Sequence, residues 1–378
     1  MEILGTEIGG ADEQGVKNFL KILYDGPLSP TPRSGIERYF TMLITNLPDN
    51  AGISCSVPCP RERMQIGEHN VASPPIPLFR PRTLSGLLNK FCWMGKGFDV
   101  VHWIQYGSSQ IAGRLRNKGV PFVVTVHDLI HEIHGAPGEL LDRSARQASY
   151  DHASAIICVS ENTQEDLLRE YEVDPHKTHV IHHGSSISTS EVKREGQSNG
   201  APYFLYIGPR SGYKNFKKLL SPLKAVAEEF PDVKLKVVGS RFCKGEKNEI
   251  QKMGLTRVIE EEGRVDDLRL QVLYSDAVAL LHPSLHEGFG IPLVEAMSCG
   301  IVPVATYTTC VPEVLGETGI HISEANVEAG FLNAMRQLLT DEGWRKQKAS
   351  ECKVRSRLFN WQETARKTFE VYSSIMRN

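Results

Sequence analysis

The sequence lacks several features that would place it in other classes of protein. It has no run of about 18 consecutive apolar residues and no basic, apolar leader, which predicts a cytoplasmic protein without a membrane span. Its 8 cysteines include no C-x-x-C pair, so we expect reduced thiols and neither a zinc ribbon nor a redox motif. Lys plus Arg total 43 and Asp plus Glu total 45, and this balance gives no reason to expect nucleic acid as a partner.

Common nucleotide-binding motifs are also missing. There is no G-x-x-x-x-G-K-[ST] segment, which disfavours ATP hydrolysis. The one GFG loop, at 288–290, lacks the third glycine of G-x-G-x-x-G, which disfavours a dehydrogenase. A nucleotide site in this chain therefore has to be built differently.

The pattern of the chain predicts an α/β protein with two doubly wound, Rossmann-like domains facing a cleft. Its 378 residues suffice for two or three domains at about 150 residues each. Each half alternates apolar, β-branched runs with amphipathic helical patterns, which is typical of parallel sheets. The predicted strands are 19–26, 99–105, 121–128, 154–160 and 178–184 in the first half, and 202–208, 233–239, 257–265, 277–283 and 301–306 in the second.

Two polar stretches set the expected domain limits. Residues 1–18 are expected to be a flexible tail, and the Ser-, Gly- and charge-rich segment 185–201 separates the halves. We therefore expect an N-terminal domain at 19–188 and a C-terminal domain at 200–360. Apolar residues spaced by three and four in 361–378 predict a final helix that returns to the N-terminal domain.

The strongest motif is HPSLHEGFGIPLVEAMSCG at 282–300. A buried strand leads into a Gly-rich loop, Pro292 stands where a helix would begin, and Gly300 where it would end. Loop amides and the positive end of a helix attract anions, and glycine lets a phosphate approach the backbone. Because like charges repel, Glu287 and Glu295 are better suited to accept hydrogen bonds from sugar hydroxyls. The plainer interpretation is a βα turn with a capping glutamate.

This E-x7-E segment, with GFG inside it, resembles the signature of the retaining GT-B glycosyltransferases of family 4. The resemblance extends over about residues 19–376 and implies two Rossmann-like domains with the donor in the C-terminal one. It implies that Glu287 lies near the donor sugar, that the backbone from Gly288 to Ile291, including Phe289 and Gly290, contacts sugar and diphosphate, and that Glu295 holds the nucleotide ribose.

A second segment, YFLYIGPRSGYKNFKKLL at 203–220, places Arg210 and Lys214 four residues apart after a strand. Fixed cations stabilise a leaving diphosphate as negative charge develops on it. The segment is similar to the family's Gly-x-Arg…Lys segment, which implies that both cations neutralise the diphosphate. Alternatively, Lys214, Lys217 and Lys218 form a solvated helix face.

A third segment, VVTVHDLIHEIHG at 123–135, resembles a family segment whose histidine approaches the donor sugar, which implies this role for His127. The alternative is a metal site made by His127, His131, Glu132 and His134. The spacing H-E-x-H does not place two histidines one helical turn apart, as H-E-x-x-H does, so no metal is expected.

Weaker similarities add further candidates. Gly35 matches a cleft-facing glycine at a helix start, and Arg264 and Val265 lie where the family's backbone meets the nucleobase. Ser160 or Thr163, in CVSENTQEDLLREY at 158–171, is expected to cap a helix.

The resemblance also implies a mechanism. No Asp is followed two residues later by another Asp, so the D-x-D metal–diphosphate motif of the other main glycosyltransferase fold is absent. No cofactor is expected, and the catalytic residues would be His127, Arg210, Lys214 and Glu287. A double displacement needs a carboxylate nucleophile about 5 Å from its partner, and the sequence identifies none. Front-face attack, in which the departing diphosphate takes the acceptor's proton, is the alternative.

The expected partners are a nucleotide sugar and a saccharide or lipid-linked acceptor in polysaccharide or glycan synthesis. The GPRSGYKNF segment resembles the mannosyltransferase branch, so GDP-mannose is the first expectation and a UDP-hexose the second. The segment 57–97 carries a net charge of +4, from six basic residues against Glu62 and Glu68, and predicts either peripheral contact with an anionic membrane or an ordinary solvated surface. The rivals are a sugar-nucleotide epimerase, a phosphorylase, and a binding protein without transferase activity.

Overall fold

A computed structural model describes residues 20–25, 35–55, 64–71, 97–103, 119–135, 143–187 and 200–376. The predicted tail and most of the predicted linker, at 188–199, lie outside these ranges. The strands are β1 (Leu20–Asp25), β2 (Ala51–Cys55), β3 (Met64–Ile66), β4 (His69–Val71), β5 (Val100–Trp103), β6 (Phe122–Val126), β7 (Ala155–Cys158), β8 (Thr178–Val180), β9 (Tyr203–Ile207), β10 (Lys234–Val238), β11 (Ile259–Gly263), β12 (Ala279–His282), β13 (Val302–Thr306) and β14 (Ile320–Ile322).

The α-helices of the described residues lie between these strands and after them. They are α1 (Gly35–Thr45), α2 (Ile130–His134), α3 (Arg143–His152), α4 (Glu161–Glu170), α5 (Leu220–Glu229), α6 (Lys244–Lys252), α7 (Asp267–Asp276), α8 (Ile291–Ser298), α9 (Val311–Leu315), α10 (Val327–Thr340), α11 (Glu342–Ser356) and α12 (Trp361–Ile375).

Two parallel six-stranded sheets organise the chain. The first has the order β2-β1-β5-β6-β7-β8 and the second β11-β10-β9-β12-β13-β14, while β3 and β4 form a separate antiparallel hairpin. The central strands β6 (FVVTV) and β12 (ALLH) are buried along their whole length and are mostly apolar, because helices cover both faces of a parallel sheet. In each sheet the chain first adds strands on one side of the domain's first strand and then on its other side. This first strand is β1 in the N-terminal sheet and β9 in the C-terminal sheet. The expected α/β architecture is confirmed.

The last helix packs into the N-terminal core. Trp361, Ala365, Val371 and Tyr372 belong to the same buried cluster as Ile22 and Tyr39 of the first domain. The Tyr372 hydroxyl also lies 2.5 Å from His102 Nδ1 and 3.2 Å from the Tyr24 hydroxyl, inside that core. The predicted return of the C-terminal helix is therefore confirmed.

All ten predicted strands are present, mostly shortened by one or two residues at each end, and the 257–265 run is reduced to Ile259–Gly263. Four short strands were missed. The sequence of β2, AGISC, has a glycine and a serine, whereas β3, β4 and β14 are three residues long. Such segments have too few residues to show a hydrophobic period. No helix among the described residues is long and apolar enough to cross a membrane.

The start of α12, where the chain returns from the second domain to the first, packs against Gly184. A Cβ atom at Gly184 would lie 2.3 Å from the backbone nitrogen of Trp361 and 2.6 Å from the carbonyl carbon of Asn360. Both atoms belong to the backbone at the start of α12, and backbone cannot move aside as the end of a flexible side chain can. The position therefore has room only for glycine.

We expect Gly184→Ala to lower the free energy of unfolding by about 2 kcal/mol or more, because overpacking a tight contact costs about 1–3 kcal/mol. Urea unfolding measures the change. Gly245→Ala is the matched control, since its Cβ would meet only Cys243 Sγ at 3.8 Å and alanine favours the helix. Equal stability of the two variants would contradict the close-packed crossing.

Candidate functional site

The candidate site lies where the second sheet reverses its order. Strands β9 and β12 are neighbours there, although about seventy residues separate them, and the strands continue outward from them in opposite directions. In such sheets the loops after the two flanking strands diverge and leave a crevice for ligands. The loop after β9 carries Lys214, and the loop after β12 carries Glu287. Both residues were singled out from the sequence.

Lys214 and Glu287 form an ion pair in this crevice. Lys214 Nζ donates a hydrogen bond of 2.6 Å to Glu287 Oε1, and His282 Nε2, at the end of β12, lies 3.0 Å from the same oxygen. Only 16% of the Lys214 side chain and 10% of the Glu287 side chain are exposed. Among the described residues, none donates a hydrogen bond to the other oxygen, Oε2. One face of the carboxylate is therefore held by protein and the other is left for a ligand.

The pair keeps both groups ionised. Burial raises the pKa of Glu287, but the charge of Lys214 and the imidazole of His282 outweigh burial and hold this pKa well below its ordinary value. Burial lowers the pKa of Lys214, and the Glu287 carboxylate reverses that effect and raises it. Removing one partner of a buried pair leaves an uncompensated charge, which costs about 3–5 kcal/mol.

The Gly-rich loop at 287–290 is fixed from both domains. The Glu287 N–H donates to Thr309 Oγ1 over 3.2 Å, within the C-terminal domain. On the other side, a Cβ at Gly288 would lie 1.8 Å from the carbonyl oxygen of His127, so this position must be glycine. Gly290, with φ of 76°, stands at the N-cap of α8, and Ile291 and Pro292 open the helix as expected.

His127 follows β6 and reaches the site from the N-terminal domain. Its ring packs edge-to-face on Tyr39, with centroids 4.9 Å apart, and lies 5.8 Å from the ring of His183. Burial lowers the pKa of His127 to about 4, so the ring is neutral at physiological pH. Its Nε2 atom is buried and has no hydrogen-bond partner among the described residues, which leaves it available to a ligand.

Glu295 lies in the first turns of α8 and is almost completely buried. Its Oε2 accepts a hydrogen bond of 2.9 Å from the Tyr274 hydroxyl, and its Oε1 lies 3.8 Å from the Arg38 guanidinium. Burial raises the pKa of Glu295 to about 7, although Arg38 and Tyr274 oppose the rise. Arg38 also binds Asp267, so this side chain of α1 links the two domains.

Sequence reasoning missed Arg38. The residue stands three positions after Gly35, one helical turn along α1, and no described atom lies within 4 Å of the place that a Cβ of Gly35 would take. The signal was available in the spacing, because residues three apart share a helix face. The partners across the cleft, Asp267 and Glu295, were not visible from sequence.

Arg210 is held apart from the ion pair. Its guanidinium donates to both oxygens of Glu246 and to the carbonyls of Ser240 and Arg241, and it lies over the Phe242 ring. These four hydrogen bonds leave one of its five N–H groups. In the described structure it contacts neither Lys214 nor Glu287. A role for Arg210 at the diphosphate stays a prediction and depends on that remaining N–H or on a change of rotamer.

The other candidates occupy different surroundings. Arg264 is exposed and Val265 half-buried in the loop after β11, at the carboxyl end of the same sheet. The Phe289 ring is buried and stacks on His183 with centroids 5.0 Å apart, so the ring is not available to a donor and only the backbone of Phe289 could contact one. Glu132 of the rejected metal site binds Arg146 and the Tyr171 hydroxyl. Most of segment 57–97 lies outside the described residues, and its membrane contact stays a prediction.

The geometry defines a class of protein before any comparison. Two Rossmann-like domains meet where the His127 carbonyl touches Gly288, beside a buried lysine–carboxylate pair of the C-terminal domain. HepE of Anabaena, solved with UDP and glucose, has the same fold, with a TM-score of 0.75 and 20% identity, and the match covers 94% of this chain and 100% of that one. The chain is a GT-B protein.

The chain belongs to the glycosyltransferases of family 4. The Glycosyltransferase Family 4 model matches residues 33–188, and the Glycosyl transferases group 1 model matches residues 188–357. O-antigen chain mannosyltransferase B of Escherichia coli is 27% identical over 270 residues, which are 67% of this chain and 70% of that protein. D-inositol 3-phosphate glycosyltransferase of Corynebacterium diphtheriae is 26% identical over 301 residues, or 73% and 70% of the two chains. The protein is an enzyme that transfers a sugar from a nucleotide sugar in glycan biosynthesis.

The raised pKa of Glu295 predicts a pH-dependent stability. Folding raises this pKa from 4.5 to about 7, so the folded state binds the proton more tightly than the unfolded state. The resulting stabilisation is complete below pH 4.5 and is lost as the pH rises to about 7, because the unfolded carboxyl ionises first. Relative to Glu295→Gln, we expect the wild type to lose about 3 kcal/mol over this interval. Urea unfolding of both proteins at several pH values measures it, and a constant difference would contradict the buried, protonated carboxyl.

Proposed function

We propose that the enzyme is a retaining hexosyltransferase that uses GDP-mannose. The observation that carries the site is the buried Lys214–Glu287 pair at the point where the second sheet reverses. The mannosyl donor is supported by the GPRSGYKNF segment and by the E. coli mannosyltransferase relative. HepE, whose structure holds UDP, supports the second candidate, a UDP-hexose.

In this proposal Lys214 neutralises the diphosphate. A phosphate oxygen entering the crevice competes with Glu287 for the ammonium group, because both are anions within reach of the same cation. As the bond from the anomeric carbon to the diphosphate breaks, negative charge grows on the leaving oxygen. A preorganised cation stabilises that growing charge more than it stabilises the bound donor, and this difference lowers the barrier.

Glu287 and His127 then position the sugar. The free oxygen of Glu287 accepts a hydrogen bond from a sugar hydroxyl, while its other oxygen stays on His282. His127 approaches from the opposite domain with a neutral ring, so it binds a hydroxyl without adding positive charge beside the anomeric carbon. The acceptor hydroxyl attacks on the face that the diphosphate leaves, and a phosphate oxygen takes its proton.

The acceptor is a saccharide or a lipid-linked saccharide, bound in the cleft on the side of the N-terminal domain. We extend the proposal to peripheral contact between segment 57–97 and an anionic membrane, which is supported by the +4 net charge of that segment. No resident cofactor or metal has a part in this mechanism.

Nucleotide binding tests the donor assignment. Calorimetric titration of the wild-type protein with GDP, UDP and ADP is expected to show the tightest binding for GDP. Release of GDP from GDP-mannose, followed by mass spectrometry, then tests turnover. Preference for UDP would favour the UDP-hexose alternative, whereas failure to bind any of the three would overturn the proposed function.

We expect Lys214→Met to lower sugar transfer by at least about 100-fold, the scale of losing one preorganised charge partner. Glu287→Gln is expected to lower it similarly, because the amide cannot keep the carboxylate's charge. Lys218→Met is the matched control, since Lys218 pairs with Glu328 on an exposed surface. Melting temperatures of all three variants separate misfolding from lost catalysis. Wild-type turnover by Lys214→Met and Glu287→Gln would remove the assignment.

A further inference from the structure

Two buried hydroxyls of the N-terminal domain reach across the cleft to the Gly-rich loop. Ser160 Oγ lies 2.6 Å from the Gly288 carbonyl oxygen, and Thr163 Oγ1 lies 3.1 Å from the same atom. Both residues are at most 1% exposed. They stand at the start of α4, whereas Gly288 belongs to the loop after β12 in the other domain.

Helix capping does not account for this arrangement. Ser160 caps α4 by accepting a hydrogen bond of 3.0 Å from the Thr163 N–H. That bond uses a lone pair of the serine oxygen, and the single serine proton has two acceptors in reach, the Gly288 carbonyl oxygen at 2.6 Å and Thr163 Oγ1 at 3.0 Å. The Gly288 carbonyl is the nearer of the two. Its two lone pairs suffice for the Ser160 proton and the Thr163 proton, both of which come from the opposite domain.

Because the peptide bond is planar, the hydrogen bonds to the Gly288 carbonyl also restrain the N–H of Phe289. The C=O of Gly288 and the N–H of Phe289 belong to one planar, trans peptide unit, so they point in opposite directions. Fixing the carbonyl therefore fixes the direction of the N–H. Among the described residues no group accepts a hydrogen bond from the Phe289 N–H. A donor that is held in direction and lacks a protein partner is suited to bind an anionic ligand.

The same loop is restrained at its two neighbouring points. The Glu287 N–H is bound to Thr309, and Gly288 touches the His127 carbonyl. Thr309 has φ of 44°, which is uncommon for a β-branched residue. The hydroxyls of Ser160 and Thr163 supply the remaining restraint on the peptide between Gly288 and Phe289. They act only while the two domains are together.

We propose that Ser160 and Thr163 are positioning residues for sugar transfer. Through the Gly288 carbonyl they orient the Phe289 N–H toward an oxygen of the donor's sugar or diphosphate when the cleft is closed. The inference rests on the proposed function, since it assigns that N–H a place in the donor site. It adds a coupling that the donor domain alone does not have, because closure of the N-terminal domain sets the geometry of the loop.

Thr163→Val tests the inference, since valine keeps the shape of threonine and removes the hydroxyl. We expect the turnover number for release of GDP from GDP-mannose to fall by about 10-fold, the scale of one lost hydrogen bond. Affinity for GDP is expected to fall in parallel if the Phe289 N–H binds the diphosphate, and to stay within about twofold if it binds the sugar, which GDP lacks. Thr163→Ser restores the hydroxyl and is expected to restore turnover.

Asp341→Ala is the matched control. It removes a helix cap, at the start of α11, that lies outside the site. We expect it to lower the melting temperature without changing turnover, so loss of stability alone is distinguished from loss of positioning. Wild-type turnover by Thr163→Val, with an active wild-type enzyme, would overturn the inference. The same result would leave the proposed function intact.

Hydrogen–deuterium exchange tests the same contact without any donor. In unliganded Thr163→Val we expect faster amide exchange in peptides covering Glu287–Gly290, with Thr163→Ser and Asp341→Ala matching the wild type. Unchanged exchange in Thr163→Val would overturn the inference, even if the wild-type protein used neither GDP-mannose nor a UDP-hexose. Absence of nucleotide binding would instead count against the proposed function.

Discussion

The site depends on the close approach of two backbones, at Gly288 in one domain and His127 in the other. A Cβ at Gly288 would lie 1.8 Å from the His127 carbonyl oxygen, so the contact exists only because the residue has no side chain. The contact joins the carboxyl end of β6 to the loop after β12. It thereby fixes the backbone of His127 beside the loop that carries the carboxylate of Glu287. Neither sheet has both groups by itself.

Charge is distributed unequally among the buried acids of this crevice. Glu287 is ionised because Lys214 and His282 compensate it, whereas Glu295 has only Arg38 at 3.8 Å and the Tyr274 hydroxyl, so burial raises its pKa to about 7. Near neutral pH such a carboxyl is about half protonated, and its protonated form donates a hydrogen bond as well as accepting one. Under the proposed function, this lowers the mean negative charge beside the ribose and the diphosphate, where a second fixed anion would repel the donor.

Strands, helices and the loop residues that follow strands could be predicted from the sequence, because each depends on residues close together in the chain. Strands such as β7 (AIIC) and β9 (YFLYI) are short buried runs that local pattern identifies, and all ten predicted strands are present, although β11 (IEEEG) is largely polar. The spacing of Trp361, Phe369 and Tyr372 predicted the returning helix. Lys214 and Glu287 were found because each follows a strand in a recognisable segment. Their contact, and the capture of Arg210 by Glu246, depend on how distant segments pack, and no spacing along the chain encodes it. Arg38 was missed for the same reason, since its partners lie in the other domain.

Several contacts between the domains are polar, beside the packing of the Phe289 ring on His183 and Val159. Arg38 binds Asp267, both carboxylate oxygens of Glu313 accept the Glu161 N–H, and the Gly288 carbonyl accepts hydroxyl protons from α4. Water replaces such hydrogen bonds at small net cost when domains separate, whereas a large apolar interface would hold them shut. We therefore infer that these polar contacts break at little cost when the cleft opens to admit a nucleotide sugar. Closure brings His127 back to the loop and the ion pair, both of which the C-terminal domain holds by itself.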